Sequence, residues 1–173
     1  MKVIDLSMEI HDNMEVYPGD PDVKIEQVHF LKYHGWNLSK LTVGTHTGTH
    51  VDAPSHMNEY GSSLDNIPLE KFMGQAILIS PDSDFPVSVN LIFDVEIGIE
   101  ILEKIKIAKP NFVGGDISVE LEKALLENGI LTYTNLINLD RLPRGEEFLF
   151  IGLPLNIKNG DGSPVRAVAI LEI

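Results

Sequence analysis

Three histidines and one aspartate lie within eleven residues, in the stretch HTGTHVDAPSH that runs from His46 to His56. The two other candidate ligands in it are His50 and Asp52. Imidazole and carboxylate groups are the usual ligands of zinc and other first-row divalent metals in proteins. The stretch therefore predicts a metal site, and it requires a fold that brings these side chains together.

The local conformation of this stretch decides whether the ligands can converge. A helix would place His46 and His50 on one face, but Pro54 and four interleaved β-branched residues disfavour it. Those four are Thr45, Thr47, Thr49 and Val51. A straight strand would separate His46 from Asp52 by roughly 20 Å, so the chain must bend, and Gly48 is the residue that bends most easily. We expect a strand that enters a curved metal-binding loop. The alternative is a polar loop whose histidines satisfy only local hydrogen bonds.

The composition is that of one globular domain, which we expect to span residues 1–173. Thirteen basic and twenty-six acidic residues give a formal charge of −13, which argues against nucleic acid or an anionic membrane as a partner. The chain has no cysteine, so disulfides and thiolate nucleophiles are excluded. It lacks an opening signal segment and any apolar run near ~18 residues, so a cytoplasmic location is expected.

Alternating and β-branched segments predict mostly strands. The predicted strands are 2–7, 23–30, 37–43, 75–80, 87–93, 111–113 and 130–134. Helices are predicted at 66–73, along 97–105 and at 118–128, the last with Ser118 as its N-cap. The runs 147–157 and 164–173 flank a turn-rich segment and predict a β-hairpin. The pattern predicts the α/β class, as a compact, β-rich single domain with few helices.

The stretch HTGTHVDAPSH resembles the His-x-Gly-Thr-His-x-Asp-x-Pro-x-His signature of the cyclase family of metal-dependent hydrolases. That family includes bacterial kynurenine formamidase and isatin hydrolase. Residues 135–140 and 160–167 also resemble family sequence, whereas residues 81–110 are short and lack the family's Thr-Gly-Trp segment. The resemblance implies a compact α/β fold with a central β structure, and a homodimer or larger homo-oligomer.

The resemblance also suggests roles for residues outside the motif. Tyr17, in the turn-like segment 17–21, matches an aromatic residue that borders the substrate pocket in the family, and so becomes a candidate substrate contact. The composition of that segment by itself indicates only a tight loop. Arg166 is expected to form a structural salt bridge or a backbone clamp rather than to act in catalysis.

Two departures from the family concern a second metal ion. Members with two zinc ions complete the site with a histidine on the late helix and a glutamate just before Asn-Leu. Alignment places Glu122 and Thr134 at those positions. Glu122 could lean into a pocket or be a solvated surface residue, and the neutral hydroxyl of Thr134 is a poor metal ligand. We therefore expect one tightly bound Zn²⁺ or Mn²⁺ per chain, with Glu122 as a weak additional ligand.

The predicted chemistry follows from three ligands, His46, His50 and Asp52, that leave one coordination position open. Such a site is typical of catalytic zinc, which lowers the pKa of a bound water towards ~7 and makes it a nucleophile. His56 follows the turn at Pro54 and is the candidate to move protons from that water to a departing amine, the role that the matching histidine has in the family. No serine nucleophile elbow or phosphate-binding glycine loop is present.

The interpretation that these residues and the resemblance favour is a metal-dependent hydrolase of a carbon–nitrogen amide bond in a small molecule. A formamide or a cyclic amide is the implied substrate, as for an arylformamidase. Two alternatives remain open at this point. One is a catalytically inactive, metal-containing protein that binds a small molecule, and the other is a lactonase or dehydratase that uses the same mononuclear site.

Overall fold

The computed structural model describes residues 1–171, in which eleven strands and three α-helices are joined by loops and short 3₁₀ turns. The strands are β1 (Lys2–Asp5), β2 (Lys24–His29), β3 (Leu38–Thr42), β4 (His50–Asp52), β5 (Met73–Leu78), β6 (Asn90–Ile92), β7 (Phe112–Gly114), β8 (Leu131–Thr134), β9 (Glu147–Ile151), β10 (Gly162–Pro164) and β11 (Val168–Leu171). The helices are α1 (Leu31–His34), α2 (Leu102–Ala108) and α3 (Val119–Glu127). Within residues 1–171 no helix is long and apolar enough to cross a membrane.

Nine of the strands form one mixed sheet in the order β1-β11-β9-β5-β6-β7-β8-β4-β10. The four strands from β5 to β8 are parallel to one another, and the strands on either side of them are antiparallel to their neighbours. The remaining two strands, β2 and β3, form a separate two-stranded sheet.

The large sheet curls towards closure. In a flat sheet of this order, β10 and β11 would lie seven strand spacings apart, or about 34 Å. The chain connects them through residues 165–167, and four Cα–Cα steps cover at most about 15 Å. Hydrogen bonds on both sides of the connection hold the curl, from Val165 N to Thr49 O at 3.0 Å and from Leu6 N to Ala167 O at 2.9 Å.

The curled sheet has a hydrophobic core on each face, because side chains alternate along its central strands. Ala76 and Leu78 point into the inner core, where Phe112, Tyr133 and Phe150 pack with ring centroids 4.7–4.9 Å apart. The outer core lies between the sheet and the helices α2 and α3. It contains Ile77, Leu91, Val113, Ile105, Leu121 and Leu125. Thr132 and Thr134 alternate with the inward-facing Tyr133 on β8, so they point to the same face as α3.

The architecture confirms the predicted fold class, a single β-rich α/β domain with few helices. The Ser118 N-cap is also observed, since its hydroxyl accepts a hydrogen bond from Leu121 N at 3.3 Å. The predicted helix at 66–73 is wrong, because Ile67 and Pro68 are extended and divide the segment into two 3₁₀ turns. A residue that precedes proline is disfavoured in the helical region, and this effect outweighed the local pattern.

The predicted hairpin of residues 147–157 and 164–173 is also wrong. Strands β9 and β11 do pair, with Val168 opposite Ile151, but the chain between them first adds β10 to the far edge of the sheet. The turn-rich segment after residue 157 is present as predicted. The strand that follows it, β10, pairs with β4, which is distant in the sequence, and this pairing has no local signal. Residues 172 and 173, which end the predicted second strand, lie outside the described residues.

Candidate metal centre

The bend predicted at Gly48 is present and brings the candidate ligands together. Gly48 has a φ of +61°, a left-handed conformation that favours glycine. His46 lies in the loop before this bend, and His50 and Asp52 follow it on β4. As a result, Nδ1 of His46 is 2.6 Å from Oδ1 of Asp52, although six residues separate the two along the chain.

Asp52 is the centre of the cluster and is 1% exposed. Its Oδ1 atom faces both His46 and His50, and lies 3.3 Å from Nε2 of His50. Its Oδ2 atom accepts a hydrogen bond from the Thr132 hydroxyl at 3.0 Å. Burial alone would raise the pKa of the Asp52 carboxyl, but the hydrogen bonds and charges of the two histidines hold this pKa well below its usual range. A buried carboxylate held between two imidazoles is a donor set suited to a divalent cation.

The orientation of His50 is set by the backbone of its own loop. Its Nδ1 atom donates to the carbonyl oxygen of Gly48 at 2.7 Å, which leaves Nε2 as the nitrogen that can bind a metal. The hydroxyl of Thr134, which lies opposite His50 in the β4–β8 ladder, is 2.9 Å from that Nε2 atom. Thr134, which was predicted to be a poor metal ligand, therefore lies directly beside the cluster.

His46 is oriented by Asp161, a carboxylate that was not predicted from the sequence. Its Nε2 atom lies 3.2 Å from Oδ2 of Asp161, while its Nδ1 atom faces Asp52. Burial alone would lower the pKa of His46, but Asp52 and Asp161 together raise it to about 9 in the metal-free chain. A histidine that binds a metal through one nitrogen commonly donates the other N–H to a carboxylate, and Asp161 occupies that position. The available signal was its place between Gly160 and Gly162, in a turn-rich segment that resembles family sequence but for which no site role was predicted.

His56 lies at the rim of the cluster, at the end of the 3₁₀ turn Pro54–His56. Its ring centroid is 3.9 Å from that of His46, and its Nδ1 atom is 3.9 Å from Oδ2 of Asp161. One ligand atom from each of His46, Asp52 and His56 lies within 4.8 Å of the other two. Burial and the charge of His46 lower the pKa of His56, so its imidazole is neutral near pH 7. This position allows metal binding as well as proton transfer, and the predicted proton-transfer role stays a prediction.

Glu122 reaches the cluster from the first turn of α3. Its Oε1 atom lies 3.1 Å from the Thr132 hydroxyl, which also contacts Asp52. Burial and the nearby Asp52 carboxylate raise the pKa of Glu122 to about 7. Of the two positions considered for Glu122, the structure shows the one that leans towards the site. Thr132, which connects the two carboxyl groups, was not identified from the sequence.

Tyr17 and Arg166 were singled out from the sequence as residues outside the histidine motif. Tyr17 belongs to an exposed turn and has 73% of its surface accessible, so its role as a substrate contact stays a prediction. Arg166 forms a two-point ion pair with Asp5, with Nε to Oδ1 at 3.0 Å and an Nη atom to Oδ2 at 2.6 Å. The predicted structural salt bridge is therefore observed.

A cavity of about 670 Å³ opens beside the cluster, where the parallel strands β6, β7 and β8 end. Thr134 and Asn135 form the wall that it shares with the metal centre, since Asn135 donates to the Gly48 carbonyl at 3.1 Å. Asp116, Leu136 and Asp140 also line it. The carboxyl ends of parallel strands are a common location for small-molecule sites in α/β proteins.

Comparisons with known proteins identify what this chain is similar to. The cyclase family model matches residues 4–110. A kynurenine formamidase of Salinibacter ruber is 30% identical, and the alignment covers 97% of each chain. An uncharacterised protein of Methanocaldococcus jannaschii is 31% identical over 99% of this chain and 100% of its own length.

Solved structures share the fold at lower sequence identity. An isatin hydrolase bound to the product analogue thioisatinate superposes with a TM-score of 0.83 at 18% identity, over 99% of this chain and 93% of that one. The resemblance inferred from the histidine motif is thus confirmed by matches that extend well beyond the motif. This chain belongs to the cyclase family.

Proposed function

We propose that this protein is a metal-dependent hydrolase that cleaves a carbon–nitrogen amide bond, other than a peptide bond, in a small molecule. The observation that carries the proposal is the position of the buried Asp52 Oδ1 atom, 2.6 Å from Nδ1 of His46 and 3.3 Å from Nε2 of His50. Kinship with a kynurenine formamidase over nearly the full length of both chains supports an amide as the bond cleaved. A formamide or a cyclic amide is the proposed substrate.

The residues present fit one divalent cation. An imidazole nitrogen of His46 and one of His50 each lie within 3.3 Å of the same buried carboxylate oxygen of Asp52. In the metal-free chain their attraction to this carboxylate is satisfied by protons on the histidines. A cation would replace those protons. We propose Zn²⁺ or Mn²⁺, one tightly bound per chain, because imidazole and carboxylate ligands suit both ions. When bound, the ion would supply Lewis acidity that makes water a nucleophile near neutral pH.

The protein's own groups then have distinct tasks. His56, neutral near pH 7, accepts the proton of the attacking water and returns it to the nitrogen that leaves. Asp161 holds the ring of His46 through Nε2, and Thr132 holds Asp52 through Oδ2, so both ligands keep their orientation. The cavity beside Thr134 would receive the rest of the substrate. Tyr17 is retained as a proposed substrate contact.

The metal assignment is tested by His50→Ala. We expect elemental analysis to show that this variant loses its metal. Circular dichroism should show that most of the fold is kept, since the buried His50 side chain contacts the metal cluster and belongs to neither hydrophobic core. His11→Ala is the matched control, because His11 is exposed and lies outside the cluster. Unchanged metal content in His50→Ala would refute the assignment.

The reaction is tested by screening the metal-loaded protein against aryl formamides, cyclic imides and lactones. We expect hydrolysis of a formamide or cyclic imide that stops after chelation and returns when Zn²⁺ or Mn²⁺ is added. Metal content without turnover of any substrate would favour a binding protein, an alternative supported by the hydroxyl of Thr134 where relatives with two zinc ions carry a glutamate. Turnover confined to lactones would identify a lactonase instead.

We also propose that the protein acts in the cytoplasm as a homodimer or larger homo-oligomer, with small molecules rather than nucleic acids or membranes as its ligands. The formal charge of −13 supports the exclusion of polyanionic partners. Cell fractionation tests the location, and the mass of the purified protein in solution tests the assembly.

A further inference from the structure

A histidine that binds a metal must present one of its two ring nitrogens, and in His50 that choice depends on a backbone carbonyl. Thr134 does not make the choice, because its hydroxyl lies 2.9 Å from Nε2 of His50 and 3.3 Å from Nδ1, and a hydroxyl can donate or accept. The Gly48 carbonyl can only accept, and it lies 2.7 Å from Nδ1. Within residues 1–171, the Gly48 carbonyl is therefore the group that requires a proton on Nδ1 and leaves Nε2, which faces Asp52, for a metal.

The Gly48 carbonyl belongs to a peptide unit that glycine by itself holds weakly. Gly48 has a φ of +61°, and glycine adopts left-handed and right-handed conformations at similar cost. The peptide unit that follows Gly48 could therefore rotate and turn its carbonyl away from His50. A group that fixes this peptide unit would also fix the ring of His50.

Asn135 holds this peptide unit at two points. Its side-chain amide donates to the Gly48 carbonyl oxygen at 3.1 Å, so that this oxygen accepts one hydrogen bond from Asn135 and one from His50. The backbone carbonyl of Asn135 accepts a hydrogen bond from the Thr49 hydroxyl at 2.5 Å. Thr49 is buried, so this second contact is shielded from water. Both residues that precede His50 are thus bound to Asn135, which directly follows β8.

Asparagine is the residue that meets both requirements of this position. Asn135 has a φ of +56°, in the left-handed region that glycine, asparagine and aspartate adopt most readily. Of these three residue types, only asparagine has side-chain N–H groups that can donate to a carbonyl at neutral pH. The backbone conformation and the hydrogen bond to Gly48 together select asparagine.

We propose that Asn135 is a positioning residue of the metal centre. By holding the Gly48 carbonyl against Nδ1 of His50, it keeps the proton on that nitrogen and presents Nε2 to the metal. Asn135 also lines the cavity proposed for the substrate, so it connects the wall of that cavity to a metal ligand. The inference rests on the proposed function, because it requires His50 to bind the metal.

The test compares Asn135→Gly with Asn138→Gly. Glycine accepts the left-handed conformation and keeps the backbone carbonyl that Thr49 contacts, so Asn135→Gly removes only the side-chain amide. Asn138 is the matched control, since it has a φ of +59° and its Nδ2 atom also donates to a backbone carbonyl, that of Asp5, at 2.8 Å. Asp5 lies on β1, outside the metal centre.

The first readout is the identity of the ring nitrogen that binds. Each protein is prepared with isotope-labelled histidine and loaded with an NMR-active isotope of cadmium, and coupling between cadmium and nitrogen identifies the bound atom. In the unmodified chain and in Asn138→Gly, cadmium should couple to His50 through Nε2 alone. In Asn135→Gly, this coupling should weaken or be shared with Nδ1. His46, which Asp161 holds through Nε2, should keep its coupling through Nδ1 in all three proteins.

The second readout is metal affinity, measured with Zn²⁺ by competition with a chelating dye. Removal of a group that orients a metal ligand typically costs about 10–100-fold in affinity, and Asn135 acts through the Gly48 carbonyl. We therefore expect affinity to fall by about tenfold in Asn135→Gly and to stay unchanged in Asn138→Gly. Equal losses in the two glycine variants, or no loss in Asn135→Gly, would overturn the proposal.

Asn135→Asp covers the case in which Asn135→Gly fails to fold. Aspartate has nearly the same shape and accepts the left-handed conformation, but its carboxylate cannot donate to the Gly48 carbonyl. Its cadmium coupling is measured rather than its affinity, since the added charge also attracts the metal. Coupling through Nε2 of His50 alone, in any folded Asn135 variant, would overturn the positioning role and leave the proposed function intact. No cadmium coupling to His50 in the unmodified chain would overturn both.

Discussion

Gly162 leaves the space that the ring of His46 occupies. A Cβ atom added to Gly162 would lie 2.4 Å from Cε1 of His46, closer than two unbonded carbon atoms can approach. Gly162 is also the residue opposite Asp52 in the β10–β4 ladder. The edge strand β10 therefore supports the metal centre because Gly162 has no side chain. Glycine is required at this position by the close approach of the His46 ring rather than by the backbone conformation.

Gly162→Ala tests this packing relationship. The added methyl group should displace the His46 ring, which can move because it is partly exposed, and metal affinity should fall by at least about tenfold. Thermal unfolding of the metal-free variant should change little, since no core side chain is displaced. Gly44→Ala, in the loop that contains His46, is the control, because a Cβ atom added to Gly44 would lie 3.4 Å from the nearest atom, an ordinary contact distance. Equal metal affinity in the Gly162 variant and the unmodified chain, measured by competition with a chelating dye, would contradict this account.

Asp161→Asn tests the carboxylate that orients His46. An amide can still contact Nε2 but carries no charge, so the imidazole becomes a weaker ligand and metal affinity should fall by about 10–100-fold. Because Asp161 lies near the surface, the fold should be unaffected. Asp20→Asn, in an exposed turn, is the control. If titration with Zn²⁺ gave the same affinity for both variants, Asp161 would have no positioning role.

The ligands could be predicted from the sequence because they lie close together along the chain. The spacing of His46, His50 and Asp52, with a residue suited to a bend between them, restricts the conformations that can collect them. Asp161 and Thr132 belong to the same centre but come from distant segments of the chain. Asp161 directly precedes β10 and Thr132 lies on β8, and only the pairing of both strands with β4 brings them to the centre. Local pattern contains little information about such pairing, and the hairpin prediction failed for the same reason.

Secondary structure was predictable where local chemistry dominated. The N-cap at Ser118 and the apolar spacing of Leu121 and Leu125 define α3 within the sequence itself. The curl of the sheet has no such local signal. It follows from the short connection between β10 and β11, which could be interpreted only once their partners on opposite sides of the sheet were known.

His56→Ala tests proton transfer. The variant should keep its metal and its fold, and lose turnover by on the order of 10²–10⁴-fold, the usual contribution of general acid–base catalysis. In the unmodified chain, the acid limb of the kcat/KM profile should lie below pH 6.5, because burial and neighbouring positive charge lower the pKa of His56 and the base must be unprotonated to act. Loss of metal from His56→Ala would instead make His56 a ligand, as its distance from His46 and Asp52 also allows.

The double variant Glu122→His with Thr134→Glu tests the second metal site. A bridging carboxylate offsets the repulsion between two close cations, and the hydroxyl of Thr134 cannot supply that charge. The unmodified chain should therefore bind close to one metal tightly, whereas the double variant should approach two and show higher amidase activity. Isothermal titration with Zn²⁺ counts the tight sites in both proteins. Two tight sites in the unmodified chain would show that Glu122 and Thr134 are not the residues that limit the second site.

The stability of the metal-free chain should fall as pH rises. Glu122 has a pKa of about 7 in the folded chain against an ordinary 4.5, so it binds more protons folded than unfolded, and stability is lost between about pH 4.5 and 7. His46, raised from 6.5 to about 9, extends the loss up to about pH 9, by roughly a few kcal/mol. Bound metal should abolish the contribution of His46 to this pH dependence, because His46 as a metal ligand is unprotonated in the folded state as well. Chemical unfolding from pH 5 to 9, with and without Zn²⁺, measures both slopes. An upward slope in the metal-free chain would show that these groups do not carry their protons in the folded state.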